Sequence, residues 1–235
     1  MFREISLLSA VEIGEMRRIA AATAFVDGRI SNPASTVKNN LQLHEPNAYH
    51  QSAAIALKAM QLHEDFKNFA LPAMVAPPMM SRYVKGMRYG AHHDMAYIDL
   101  PSRTLRSDIS CTIFLSEPEE YEGGALCIHL GTEDVRFRCK AGNAILYPSS
   151  TLHEVEPVTA GERLVAITFI QSRVADPFHR EMLYEINEVA ALEGLTMRPE
   201  SQARLQWAHQ SLLRHWCDPP LMTAAALNQL AGTSP

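Results

Sequence analysis

From about residue 78 to residue 174 the hydrophobic pattern has a period of two, and this stretch limits the possible folds most. In "DISCTIFLS", Ile109, Cys111, Ile113 and Leu115 fall on one face of an extended chain, because alternate residues of a strand project to opposite sides. "VRFRCKA" alternates Val135, Phe137 and Cys139 with Arg136, Arg138 and Lys140. "GALCIHL", "NAILYPS", "LHEVEPV" and "RLVAITFIQS" read as further strands, separated by the turn-like "EPEEYEGG", "LGTED", "KAGN" and "TAGE". Short strands, Gly-bearing turns and no intervening helix point to an antiparallel barrel or sandwich.

The flanks have a helical period. Ser9 and Glu12 form a capping box ahead of "VEIGEMRRIAAATAF", and "DGRISNP" breaks the pattern. A second helix is expected over "AYHQSAAIALKAMQLHEDFKNFA". After "QSRVADP", Asp176 caps a helix that starts at Pro177 and ends at Gly194. Phe178, Met182, Ile186 and Val189 mark its apolar stripe. A last helix from Pro199 carries Leu205, Ala208, Leu212 and Trp216 on one stripe and stops before Pro219-Pro220. The expected organisation is therefore an N-terminal helical and extended support region (1–77), a β core (78–175) and a C-terminal helical extension (176–235). The C-terminal stripes are expected to pack on the core or to form a homodimer contact.

The net charge of −5 disfavours a nucleic-acid or anionic-membrane partner, since both attract a basic surface. No apolar run reaches the roughly 18 residues of a membrane span, and the N-terminus lacks the basic region of a signal peptide. Cys111, Cys127, Cys139 and Cys217 form no CxxC pair and read as reduced thiols of a cytoplasmic protein.

"YGAHHDMA" is the most informative short stretch. On a strand, His92 and Asp94 share a face while His93 points away. His153 stands on a later strand. Two imidazoles and one carboxylate on rigid strands make a facial ligand set with open positions, suited to Fe(II) and oxygen chemistry. Arg163 follows His153 by ten residues, at the expected start of the next strand. There it could clamp a carboxylate with its fork of donors.

The order H-x-D, distal His and then Arg resembles the Fe(II)/2-oxoglutarate-dependent dioxygenases. Within them the chain is similar to the bacterial PKHD-type hydroxylases, relatives of prolyl and lysyl hydroxylases. The resemblance is carried by "FVDGR", "VKNNLQL", "RYVKGMRYGAHHDMA", "RSDISCTIFLSEPEEYEGGAL", "YPSSTLHEVEPVTAGERLVAITFIQS" and "LLRHWCDPP". It implies a double-stranded β-helix, a jelly-roll variant of cupin type. It implies that His92, Asp94 and His153 bind Fe(II) and are the catalytic centre, and that Arg163 binds the distal carboxylate of 2-oxoglutarate. Tyr83 resembles the position whose hydroxyl reaches the other end of that cosubstrate. O2 would be consumed, succinate and CO2 released and an unidentified substrate hydroxylated, with L-ascorbate as reductant. Many relatives have Asn after the ligand Asp where this chain has Met95, which leaves the substrate open. Two other readings are an iron- or oxygen-responsive regulator that keeps the triad, and a cupin-type metalloprotein that does not use 2-oxoglutarate.

Overall fold

The computed structural model describes residues 2–101 and 103–218. Its core is two antiparallel sheets. In the larger, the strands run in the spatial order Arg3–Ser6, Asn143–Pro148, Ile109–Phe114, Val158–Ser172, Met79–Val84, Leu41–Gln42, Val26–Asp27. Tyr121–Gly123 and Pro72–Val75 also pair with Val158–Ser172. The smaller sheet has the order Glu133–Phe137, Leu126–Leu130, His153–Val155, Arg88–His92, Lys38–Asn39. The described strands form no closed barrel, so the architecture is the jelly-roll sandwich. The N-terminal 77 residues contribute strands to both sheets.

Period two decides what each face meets. Ile109, Cys111, Ile113 and Leu115 all turn outward into a core shared with the helices, which supply Met16, Ile19, Ala56, Met60, Phe66 and Phe69. Phe114, one residue out of phase, turns inward with Tyr83, Tyr147 and Val165. It meets Leu126, Ile128 and Val155 of the smaller sheet. Strand Ile109–Phe114 is therefore buried on both faces, as expected for the centre of a layered fold.

The first helix, Ala10–Ala22, starts at the expected capping box. Ser9 Oγ accepts from Glu12 N, and the Glu12 carboxylate accepts from Ser9 N at 2.8 Å. The expected second helix is two helices, Pro46–Leu62 and Glu64–Ala70. His63 ends one with extended backbone and caps the next, its Nδ1 accepting from Phe66 N at 3.3 Å.

Two expectations need correction. "TAGE" is not a turn before Arg163: one strand runs through Val158–Ser172. Gly161, at φ +71°, bends it against Tyr121 without ending it. A Cβ there would lie 2.0 Å from the Glu120 carbonyl oxygen, so glycine is needed for this approach. The second correction is the stripe on helix Pro177–Glu193. Asp176 caps that helix and Gly194 follows it as expected, but its buried residues are Arg180, Leu183 and Tyr184. Phe178 and Val189 are exposed. Arg180 fixes the rotation by donating from Nη1 to the carbonyls of Val174 and Ala175 at 2.8 and 2.7 Å. Tyr184 packs edge-on to Phe69. On helix Pro199–Trp216, Leu205, Ala208, Leu212 and Trp216 are half-buried, and Trp216 stacks on His179 at 4.1 Å. Pro219 and Pro220 lie outside the described residues.

Candidate active site

The inward faces of the sheets line a cavity of about 410 Å3, within the range of small-molecule sites. His92 ends strand Arg88–His92 and His153 begins strand His153–Val155. The two are direct cross-strand partners, their rings 4.4 Å apart. Asp94 lies just beyond the strand end. Its Oδ1 is 3.8 Å from His92 Nε2 and its Oδ2 is 3.6 Å from His153 Nε2. One donor atom from each residue falls within 4.8 Å of the others.

The ring orientations suit a cation. His92 Nδ1 is 2.8 Å from the Gly90 carbonyl oxygen and His153 Nδ1 is 2.9 Å from that of Thr151. A carbonyl only accepts, so each Nδ1 carries the proton and each Nε2 is left with a lone pair facing the other ligands. Burial, and then the neighbouring His153, push the His92 pKa down, favouring the neutral ring that can bind a metal. His93 is exposed, with Nδ1 3.0 Å from the Ser150 carbonyl oxygen, and falls outside the cluster. His92 thus belongs to the cluster and His93 does not, although the strand on which the alternation was read stops before Asp94.

A hydroxyl chain missing from the sequence reading holds Asp94. Ser110 Oγ donates to Asp94 Oδ2 at 2.5 Å, and Ser149 Oγ is 2.8 Å from the hydroxyls of both Ser110 and Ser107. The signal was present. If Ile109 and Cys111 face outward, Ser110 must face the site.

Arg163 lies in mid-strand, 1% exposed, and its side chain lines the same cavity. Its Nε, Nη1 and Nη2 have no hydrogen-bond partner. A buried guanidinium with five unused donors is costly unless a ligand completes it. Gly124 makes room for it: a Cβ there would come 3.2 Å from Arg163 Cδ. Tyr83 pairs directly with Arg163 across the sheet, its ring 5.1 Å from the guanidinium carbon. The tyrosine therefore accompanies the arginine instead of facing it from the other end of a ligand. Its hydroxyl accepts from Asn40 Nδ2 at 3.0 Å, and burial pushes its pKa up, so it remains a phenol.

The hairpin Tyr97–Leu100 and Arg103–Arg106 borders the cavity through Ile98 and Leu100, with Met95 beside it. Arg106 is turned away to Asp108 and Asp218. On the outer face of the smaller sheet, Cys127, His129 and Asp134 form another donor group. It is internally paired: His129 Nδ1 is 2.7 Å from Asp134 Oδ1, and Arg136 reaches the same carboxylate at 3.4 Å.

The model of the 2OG-Fe(II) oxygenase superfamily matches residues 78–171, the span that carries the triad and Arg163. A PKHD-type hydroxylase of Sphingopyxis alaskensis is 56% identical over 216 residues, covering 92% of this chain and 99% of that protein. The chain belongs to the PKHD-type hydroxylases. It shares its fold with a Pseudomonas putida prolyl-4-hydroxylase at a TM-score of 0.51 and 21% identity, over 73% of this chain and 92% of that one. An oxidoreductase of the 2OG-Fe(II) oxygenase family from Burkholderia pseudomallei matches at a TM-score of 0.53 and 17% identity, over 72% and 85%. As a PKHD-type hydroxylase the protein is an oxygenase that uses Fe(II), 2-oxoglutarate and O2. No helix among the described residues is long and apolar enough to cross a membrane.

Proposed function

We propose that His92, Asp94 and His153 hold Fe(II), that Arg163 holds the distal carboxylate of 2-oxoglutarate, and that the protein hydroxylates a substrate bound over the cavity mouth. The observation that carries this reading is the Arg163 guanidinium, buried without a hydrogen-bond partner in the same cavity as the triad. Neither a regulator that acts only through a partner nor a cupin that binds metal alone would need that charge there.

Iron bound there supplies the oxidising chemistry that couples conversion of 2-oxoglutarate and O2 to succinate and CO2 with hydroxylation of a substrate carbon. The two histidines present Nε2 because the Gly90 and Thr151 carbonyls hold their Nδ1 protons. Asp94 supplies the anionic ligand, oriented by Ser110. Asp at this position favours oxygenation, since a small residue would leave room for a halide. Tyr83 lines the Arg163 end and helps shape the place of the distal carboxylate. L-Ascorbate is the proposed reductant that restores Fe(II). The four free thiols support a cytoplasmic location, and the net charge speaks against nucleic-acid and membrane partners. The exposed Phe178, Leu192 and Trp207 support a contact between two copies through the C-terminal helices.

A substrate screen read as 2-oxoglutarate-to-succinate conversion, with Fe(II) and ascorbate present, tests the reading. Substrate-stimulated succinate release that disappears in Asp94→Ala is expected. Succinate release that persists undiminished in Asp94→Ala would overturn it.

A further inference from the structure

The triad and Arg163 account for metal and cosubstrate, but the cavity contains a second buried cation. Lys38 belongs to strand Lys38–Asn39 at the edge of the smaller sheet, on the opposite sheet from Arg163. It is 7% exposed and lines the cavity. Its Nζ donates to Ser31 Oγ at 2.7 Å, and with the Gln42 amide turned it donates to Gln42 Oε1 at 3.2 Å. Both partners are neutral. No carboxylate stands within ion-pair distance among the described residues. An ammonium has three donors, so one donor remains free, and Asp27 and Asp94 act on the charge only from beyond ion-pair distance.

Its position ties it to the chemistry. Lys38 pairs across the sheet with Tyr89, and Nζ is 5.4 Å from the Tyr89 ring centroid. Tyr89 in turn stacks on His92 at 3.7 Å. Burial pushes the Lys38 pKa down to about 8, which still leaves the protonated form dominant at neutral pH. The rest of the mouth is largely apolar, with Met95, Ile98, Leu100 and Pro101. Lys38 and Arg163 are the only lysine or arginine lining the cavity among the described residues. One ammonium whose hydrogen-bond partners are neutral matches a monoanion. A phosphate dianion would call for a second cation.

We propose that Lys38 is the anchor for a substrate carboxylate, so that the substrate is a carboxylic acid whose apolar part lies against the hairpin and presents a carbon to the metal. This rests on the reading that the triad and Arg163 already hold Fe(II) and 2-oxoglutarate. The carboxylate would accept from Lys38 Nζ through its free donor. The Lys38–Tyr89–His92 contacts fix the distance between the anchored end and the reacting carbon.

The test uses the full chain, anaerobic, loaded with Fe(II) and 2-oxoglutarate. Binding of a panel of N-acetyl amino acids and their primary amides is measured by calorimetry, acid against amide of the same side chain. The wild type is expected to prefer at least one acid over its amide by about tenfold or more. Lys38→Met should weaken that acid by about ten- to a hundredfold and level the pair, as for loss of a charge-assisted hydrogen bond. Lys38→Arg should keep the preference, and Lys85→Met, at an exposed position, should leave it unchanged. Iron stoichiometry and 2-oxoglutarate affinity should be unaltered in Lys38→Met. Acids binding no better than amides, none binding at all, or a preference that survives Lys38→Met would overturn the proposal. So would a loss of 2-oxoglutarate affinity in Lys38→Met, which would place the lysine on the cosubstrate. A wild type that binds iron but no 2-oxoglutarate would instead overturn the underlying reading, and the proposal with it.

Discussion

Between the two sheets, Arg163 and Lys38 are buried to 1% and 7% exposure. On the C-terminal helices and the turn between them, Leu192, Leu195 and Trp207 are exposed to 78%, 102% and 72%. The two regions break the usual partition of polar and apolar groups in opposite directions, at very different cost. An apolar side chain left in water forgoes about 1.5–3 kcal/mol, and many surface residues do so. A charge removed from water without a partner costs several kcal/mol, and a fold retains such a group only where something else completes it. The buried cations are therefore the stronger guide to function, and the exposed helix faces are the weaker one.

The comparison can be broken most sharply at the proposed metal ligands. Asp94→Ala is expected to lose stoichiometric iron and all substrate-stimulated succinate release while the fold is kept. His93→Ala should retain both, because its ring lies outside the cluster. Iron analysis and turnover on the two proteins decide this, and a His93 variant without iron beside an Asp94 variant with iron would reverse the assignment.

The helical side of the comparison is sharpened by two truncations on one helix. Leu183, 1% exposed, should cost about 2–5 kcal/mol as Leu183→Ala. Between the helix variants in size, Gly161→Ala is expected to cost about 1–3 kcal/mol through its left-handed backbone and the approach of Glu120. Phe178→Ala, at 65% exposure, should cost less than about 0.5 kcal/mol in the monomer. Urea midpoints of the three variants check the order. A Phe178 variant as damaged as the Leu183 one, at a protein concentration where the chain is monomeric, would restore the stripe read from spacing.

Why the sheets were legible and the C-terminal helix less so follows from geometry. A strand offers two faces, so once Ile109, Cys111 and Ile113 are assigned to one core, the position of every neighbour follows, Ser110 included. A helix offers a continuous range of rotations. Phe178, Met182 and Val189 form one acceptable stripe and Leu183 with Tyr184 borders another. The choice between them is made by Arg180 hydrogen-bonding to Val174 and Ala175, which no apolar period records. The place of Lys38 in the cavity was not legible for a related reason. Its strand has two residues, too short for any period, and its charge acquires meaning only beside Tyr89 and His92. The turn expected at "TAGE" failed because glycine at φ +71° serves equally to end a strand or to bend one, and pairing with Tyr121–Gly123 decides for the bend.

The most direct test of the account is an anaerobic titration of 2-oxoglutarate into the Fe(II) protein, followed through the visible charge-transfer band of the chelate. Removing one partner of a buried ion pair costs about 3–5 kcal/mol. Arg163→Ala should therefore weaken 2-oxoglutarate by roughly two to three orders of magnitude, with iron stoichiometry unchanged. Arg163→Lys should fall between, since a point charge replaces the fork. An Arg163→Ala protein that binds iron and 2-oxoglutarate as tightly as the wild type would contradict the account.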